Sequence, residues 1–490
     1  MKLKVKILSW STGFPVAMVN EKTAKKLGVH GKDRVFIKYN HEKFSTIIDT
    51  IKKYVDEDEI AFSSELNERM FLQNGEIVNV SLSEAPKSLD YIKKKLNKHQ
   101  LKKKEIEEII KDVTNNSLSE SEIAMFISGM YRNGMNFQET IYLINSILKF
   151  GKRLNLKGKF IVDKHSIGGI PANRTTPIIV SICAAAGLIF PKNSSRAITS
   201  AAGTADVIET LAKVEFSVEE LKKIIKKTNA CMVWGGALEI APADARIIQI
   251  EKTLKIDPES QLLASIMAKK LAVGSRYILI DIPYGKNAKV SREKALHLKT
   301  KFEKLARHYR KKMKVVLTKG DEPIGNGIGP ILEMIDVIKV LNRSEERPKD
   351  LEKKSIFLSA QIFELTGKTK KGKGEQLAGE ILESGKAFEK FKEIITAQKG
   401  KMKKLIPGKF RKEIKANSSG KLIEIHNKKI NFLARVCGCP EDKASGLYLH
   451  KHLGDKVKKG EIILTIYSES KVRLGEAVKC YNSEKPIKIR

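Results

Sequence analysis

The sequence predicts a multidomain α/β protein with a mostly parallel main sheet, flanked at each end by a small β-rich domain. Three observations predict it. Short buried strands at 160–163, 230–234, 277–282 and 314–318 are separated by amphipathic helices such as 292–311, the alternation of strand–helix–strand units. Residues 1–85 and 413–490 instead break into short strands between turn residues. A run of helical signals after residue 86 separates the first of these from the main sheet.

Taken in order, residues 1–85 read as a compact barrel. Alternating or β-branched runs at 2–10, 34–38 and 44–51 surround a short helix at 21–27 and a turn at Gly31. Residues 87–111 read as helical, with Leu89, Ile92, Leu96, Ile106, Ile109 and Ile110 as the apolar positions. Ser119 and Glu122 form a capping box before a helix at 123–131, Gly134 stops it, and a further helix spans 137–150. After the strand at 160–163 comes a polar, glycine-rich loop at 164–174. The next helix is expected to be capped by Thr176, with Pro177 at its first position. From about residue 415, Gly420, Gly438, Gly446, Gly454 and Gly460 punctuate short strands.

Length and composition narrow the function. A chain of 490 residues predicts about three or four domains, and 41% hydrophobic residues suffice for packed cores. No run of about 18 apolar residues occurs, and the alternating N-terminus reads as a strand rather than a signal peptide, so no membrane partner is expected. The net charge of +35 favours anionic partners, but lysine outnumbers arginine and is spread along the chain. No basic tail or aromatic-interleaved basic tract accompanies it, so nucleic acid is not expected as a partner. Five cysteines, an odd and sparse set, fit a reducing cytoplasm. Cys437, Cys439, His450 and His452 could in principle hold zinc. Their C-x-C and H-x-H spacings are unlike structural zinc sites, and alternation along a strand gives the same pattern, so no metal is expected.

The chemistry concentrates in residues 163–176, DKHSIGGIPANRTT, between a strand and a helix N-terminus. Backbone N–H groups and the helix dipole favour an anion there, and Gly168 and Gly169 allow close backbone approach. Lys164 adds a charge, and Ser166 and Thr175 add hydroxyl donors. The Walker A pattern is absent. A second polar loop, 194–204 (SSRAITSAAGT), leads into another helix, and two such loops on adjacent strands would face one crevice. The segment 325–329, GNGIG, lacks a full dinucleotide fingerprint and is expected to be a flexible loop.

These motifs carry a specific resemblance. The KHSIGG stretch at 164–169, the SRAITS loop at 195–200 and the DPESQLLASIM segment at 257–267 resemble the thymidine/pyrimidine nucleoside phosphorylase family. Together with the N-terminal β domain they are most similar to its archaeal AMP phosphorylase branch. The resemblance covers essentially the whole chain.

It implies a two-lobe nucleoside phosphorylase II-type core. A helical lobe would take 86–155 with 240–272, and an α/β phosphate-binding lobe 156–239 with 273–412, between an N-terminal barrel-like domain and a small α+β or β C-terminal domain at 413–490. Hinged closure would bring base and phosphate together. The implied enzyme is a pentosyltransferase that converts AMP and phosphate to adenine and ribose 1,5-bisphosphate, and treats CMP and UMP similarly. The product would feed archaeal Rubisco. Inorganic phosphate is the co-substrate and no cofactor is implied; the implied assembly is a cytoplasmic homodimer, with larger homo-oligomers open.

By the same resemblance, Lys164, Ser166, Thr175, Ser194 and Thr204 hold the attacking phosphate. Gly169, Ser195, Arg196, Ala197, Ile198, Thr199, Ser200, Thr204, Ser265 and Lys289 contact the nucleotide. Asp257 protonates the leaving base, a role that needs a raised pKa; Asp before Pro258 is equally a turn or helix cap. Lys269 is a weaker base-site candidate. The arginine with which the nucleoside enzymes grip a pyrimidine is replaced by Ala243, whereas Lys289 stands where those enzymes are apolar and is expected to meet a 5′-phosphate, with Arg196 as a second candidate. Ala172 stands where archaeal relatives commonly have glycine. The competing readings are a pyrimidine nucleoside phosphorylase, a phosphoribosyltransferase of related two-lobe fold, and a basic nucleic-acid-binding protein.

Overall fold

The computed structural model describes all residues except 12–14, 41, 198, 199 and 237, and the side chain of residue 69. It divides into two compact units, 1–151 with 242–265 and 152–241 with 266–490.

The first unit begins with β1 (Lys2–Ile7), β2 (Val16–Asn20), α1 (Glu21–Leu27), β3 (Arg34–Tyr39), β4 (Glu42–Ile51), β5 (Glu59–Phe62), α2 (Ser64–Met70) and β6 (Ile77–Leu82). The six strands close into a barrel in the order β1-β5-β2-β4-β3-β6. Alternation explains it: Leu3, Val5, Val35, Ile37, Val78 and Val80 point inward while Lys2, Lys4, Lys38 and Asn79 face out. Asn20 caps α1 by accepting from the Lys22 N–H at 3.0 Å, and Gly28 ends it in the left-handed region.

Four helices follow: α3 (Ser88–Leu96), α4 (Lys103–Thr114), α5 (Glu120–Asn133) and α6 (Phe137–Lys149). The single helical stretch expected at 87–111 is therefore two. Lys98 is left-handed at φ 66°, which ends the first. Glu105 accepts from the Lys102 N–H at 2.6 Å, which starts the second. The Ser119–Glu122 capping box and the Gly134 stop are both present. A buried ion pair, Lys95 Nζ to Glu139 Oε1 at 2.9 Å, joins α3 to α6. Arg34 ties the barrel to these helices, donating to the Ser117 carbonyl at 2.8 Å and pairing with Glu122.

The second unit opens with β7 (Val162–Ser166), α7 (Thr175–Ala185), β8 (Phe190–Ser194), α8 (Thr204–Ile208), α9 (Val218–Thr228) and β9 (Ala230–Trp234). The chain then returns to the first unit for α10 (Pro242–Leu254) and crosses back within α11 (Glu259–Ala272). It continues as β10 (Tyr277–Tyr284), α12 (Arg292–His308) and β11 (Lys312–Lys319). Strands β11, β10 and β7 pair in parallel, as do β8 and β9. A parallel bridge between Ile161 and Ile189 joins the two groups. Nearly every residue of α7 is buried, as its all-round apolar sequence requires. Arg174 rather than Thr176 occupies its N-cap position, so Thr176 and Pro177 lie inside the first turn. Pro177 is tolerated there because that turn has no intrahelical partner for its N–H.

The last elements are β12 (Gly327–Ile328), α13 (Pro330–Leu341), α14 (Lys349–Thr366), α15 (Gly374–Glu383), α16 (Lys386–Ala397), β13 (Phe410–Lys415), β14 (Gly420–Ile425), α17 (Asn427–Cys437), β15 (Gly446–Leu449), β16 (Lys456–Val457), β17 (Ile462–Ser468), α18 (Lys471–Glu484) and β18 (Ile487–Ile489). The C-terminal segment is α+β, with α17 and α18 among its short strands. Its strands join β12 in one sheet in the order β12-β15-β17-β13 and form a second in the order β16-β14-β18.

Two expectations about this region change. Cys437 ends α17, Gly438 is its C-cap and Cys439 follows, so no strand alternation relates the two cysteines. Their thiols donate to the carbonyls of Leu433 and Ser445, both at 3.1 Å; His450 bonds Thr465, and His452 bonds Glu322 and Asn326. Among the described residues no group of three or more metal-binding side chains gathers. The 325–329 loop is pinned rather than flexible: Gly325 N–H donates to Asp350 at 2.9 Å, and the Asn326 and Gly327 N–H groups donate to Asp336 at 2.7 Å each. Among the described residues, no helix is long and apolar enough to cross a membrane.

Candidate active site

At the carboxyl end of β7 the strand runs further than expected, so Lys164 and Ser166 sit on it rather than in the loop. Lys164 is 1% exposed, and its Nζ donates to Thr175 Oγ1 at 2.9 Å across the mouth of α7. Among the described residues no carboxylate lies within ion-pair distance of it. Burial pushes its pKa down to about 8; Asp281 opposes this, while Lys354, Arg174 and Lys270 add to it. Ser166 Oγ is buried, with no hydrogen-bond partner among the described residues. A buried ammonium facing one neutral hydroxyl, beside an unpartnered hydroxyl, is an arrangement an anion completes. Gly168 and Gly169 close the loop at φ 86° and 92°; a Cβ on Gly169 would lie 2.6 Å from Lys289 Cβ. Glycine there lets the Lys289 segment rest on the phosphate loop.

Beneath this lies a charge cluster that spacing did not reveal. Asp163 Oδ2 pairs with Lys270 Nζ at 2.8 Å and Asp163 Oδ1 with Lys192 Nζ at 3.6 Å, all buried. Lys192 also donates to the Lys164 carbonyl at 3.1 Å, so the cluster grips the backbone of the residue it supports. Burial lowers the pKa of Lys270 and of Lys192 against the pull of Asp163. Burial and the surrounding lysines hold His165 well below the usual histidine range, so it is neutral at pH 7.

The second loop is built from carboxylates inward. Asp206 Oδ2 accepts from the Ala197 and Gly203 N–H groups at 2.7 and 2.8 Å. Arg196 makes a two-pronged contact with Glu209 at 2.7 and 2.8 Å, reaches Glu215 at 2.9 Å, and lies over the Trp234 ring. Its guanidinium is thereby committed to holding the loop. Ser194 Oγ donates to the Val233 carbonyl at 3.2 Å, and Ser200 Oγ to the Ala202 carbonyl at 3.0 Å. Ser195 is exposed. The nucleotide residues expected at Ile198 and Thr199 lie outside the described residues.

Arg174, which the sequence reading passed over, joins the two loops. It donates to Thr204 Oγ1 at 2.8 Å, to the Ala202 carbonyl at 2.8 Å and to buried Glu333 at 2.7 Å. Its place just before the helix was the available signal, since only arginine offers a fork wide enough for three acceptors.

Lys289 is exposed, five residues beyond the end of β10. Ala172, in the phosphate loop, is left-handed at φ 55°, a conformation glycine would adopt without strain. Lys269 lies on α11 in the second unit. The remaining candidates belong to the first unit. Asp257 is exposed two residues before α11, so the burial its proposed acid role calls for is not present in this structure. Ser265 donates to Asp244 at 3.0 Å, and Gln261 donates to the same carboxylate at 2.9 Å. Ala243 is buried on α10, in the helical core.

Known proteins match the chain in three successive segments. The helical bundle domain of a glycosyl transferase family matches residues 89–151 and its a/b domain residues 158–388. The pyrimidine nucleoside phosphorylase C-terminal domain matches 422–488. AMP phosphorylase of Pyrococcus horikoshii is 44% identical over 494 residues, 100% of this chain and 98% of that protein. AMP phosphorylase of Pyrococcus furiosus is 42% identical with the same coverage, and that of Methanocaldococcus jannaschii 40% identical over 99% of this chain and 97% of its own. Among solved structures, anthranilate phosphoribosyltransferase from Thermus thermophilus shares the fold, with a TM-score of 0.54 at 18% identity over 64% of this chain and 100% of that one. With the relatives' similarity running from end to end and three domain models in succession, the chain belongs to the AMP phosphorylase family.

Proposed function

We propose that this chain catalyses the reversible phosphorolysis of AMP, and of CMP and UMP in the same way. A phosphate oxygen attacks C1′, the C1′–N bond breaks, its electrons pass to the base, and the base takes a proton; free base and ribose 1,5-bisphosphate result. The observation that carries the reading is the anion cradle: buried Lys164 with its one hydroxyl acceptor, beside unpartnered Ser166. Phosphate is itself the nucleophile, so the protein needs no activated serine or cysteine. Positioning the anion and stabilising charge do the work.

In this reading Lys164, Ser166, Thr175, Ser194 and Thr204 hold phosphate. The loop from Ser195 to Ser200 takes the nucleotide with Gly169, Thr204, Ser265 and Lys289, with Lys269 towards the base. Lys289 meets the 5′-phosphate, Arg196 braces its loop, and Asp257 supplies the proton. The enzyme works as a cytoplasmic homodimer, and its product feeds ribulose bisphosphate and Rubisco.

Incubation with AMP and phosphate should release adenine only when phosphate is present, and Asp257→Asn should lose most turnover while keeping AMP binding. Adenine release without phosphate, or faster turnover of uridine than AMP, would refute the nucleotide reading. The pH dependence is also set. The folded pKa of Lys164 is depressed to about 8, so its charge is present below that pH and lost above it. Apparent phosphate affinity should fall about tenfold per pH unit well above pH 8, while AMP affinity does not follow. A flat phosphate profile from pH 7 to 10 would contradict this.

A further inference from the structure

Helix α17 carries two asparagines one turn apart, Asn427 and Asn431, on one face. Asn427 is wholly buried, and its Nδ2 donates to the Gly320 carbonyl at 2.9 Å. The Gly320 N–H in turn donates to the Tyr284 carbonyl at 2.9 Å, where β10 runs into the Lys289 segment. Asp321, next in the chain, accepts from the Lys286 N–H at 3.3 Å and packs so tightly on Gly285 that a Cβ there would lie 2.3 Å from its Oδ1. Glu424, just before the helix, accepts from Asn287 Nδ2 at 3.3 Å in the same segment. Asn431 reaches the other loop: its Oδ1 accepts from the buried Ala201 N–H at 3.1 Å, immediately after Ser200.

We propose that α17 is a strut that sets the spacing between the two nucleotide-binding segments, with Asn427 and Asn431 as positioning residues for the nucleotide. This rests on the reading of those segments as the nucleotide site. One rigid helix holds both, four residues apart, so neither segment moves without the other. Neither side chain needs to touch substrate. The two amides play opposite parts: Asn431 accepts from an N–H and Asn427 donates to a C=O, and the backbone partners fix which amide atom faces which loop.

That opposition gives the test. Asn431→Asp keeps the accepting oxygen, whereas Asn431→Ala removes it and leaves the buried Ala201 N–H unpaired. Asn427→Asp sets a carboxylate oxygen against a carbonyl. The KM for AMP should rise about fivefold or more in Asn431→Ala and in Asn427→Asp, the effect of one lost hydrogen bond, and stay near the unsubstituted value in Asn431→Asp. The KM for phosphate should be unchanged in Asn431→Ala and Asn431→Asp. A general structural defect would instead raise both KM values together. Equal effects of Asn431→Asp and Asn431→Ala, or an unaltered KM for AMP in both disruptive variants, would overturn the proposal. If the unsubstituted enzyme did not turn over AMP at all, the phosphorylase reading would fall first. The strut is then read by hydrogen exchange at the Ala201 amide: protection lost in Asn431→Ala and kept in Asn431→Asp supports it, and equal exchange in both overturns it.

Discussion

Lys164→Met is expected to abolish phosphate-dependent turnover while making the folded chain more stable. Methionine matches the length and volume of the lysine stem and removes the charge. In the folded protein this lysine is 1% exposed, and among the described residues its ammonium donates only to Thr175. A folded pKa of about 8 against 10.5 means that holding the protonated lysine costs about 3 kcal/mol at pH 7. Removing it should return about 1–3 kcal/mol, less whatever the unpaired Thr175 hydroxyl takes back. Charge-assisted hydrogen bonds to an anion are worth about 1.5–3 kcal/mol each, so kcat/KM for phosphate should fall about a hundredfold or more. Thermal unfolding and steady-state kinetics on the same sample give both signs. A lower melting temperature together with retained phosphate dependence would show that Lys164 serves the fold and not the anion.

The second large effect has the opposite balance. Asp163→Asn should destabilise the protein by about 3–5 kcal/mol, because it leaves two buried lysines facing no negative charge. Lys270 is the chief loser, with its 2.8 Å partner gone, and Lys192 the lesser, at 3.6 Å. The folded pKa of Lys270 is already depressed, and losing Asp163 depresses it further while the unfolded value is unchanged. The variant's folded state therefore sheds the Lys270 proton at lower pH than the unsubstituted protein does. The deficit should be greatest at acid pH and shrink as pH rises through about 7, where Lys270 titrates in the unsubstituted protein. Calorimetry at pH 6 and pH 9 separates this from a pH-independent packing defect. An equal melting temperature in the variant at pH 6 would count against the cluster as a structural support.

Local signals explain what could be read in advance. The Ser119–Glu122 box and the Gly134 stop are set by residues within one or two turns, and the strand at 230–234 is a short apolar run of the expected length. The paired loops at 163–176 and 194–204 stood out because glycines, hydroxyls and a lysine gathered between a strand and a helix. The sequence offered no comparable cue for Asp163–Lys270, whose partners are 107 residues apart, or for Arg174 and Thr204, 30 apart. Arg174 and Thr204 meet because each follows one of the parallel strands β7 and β8, and Lys270 reaches Asp163 from α11, the helix that leads into β10 beside β7. Helix α17 was a different kind of miss. Ile430, Leu433, Ala434 and Cys437 follow the i, i+3, i+4, i+7 stripe of a buried helix face, but the glycines and the C-x-C spacing suggested strands. With the helix went the asparagines on its flank.

The N-terminal barrel has one more consequence. Because β1 pairs with β5 on one side and β6 on the other, the ring of six strands offers a neighbouring chain no row of open backbone donors and acceptors. Lysines on exposed strand borders elsewhere often serve as guards against sheet-to-sheet recruitment. Lys2, Lys4 and Lys38 on this barrel have no such duty. Their charge can drift, or be engineered away to lower the overall basicity, without opening a route to fibrous association.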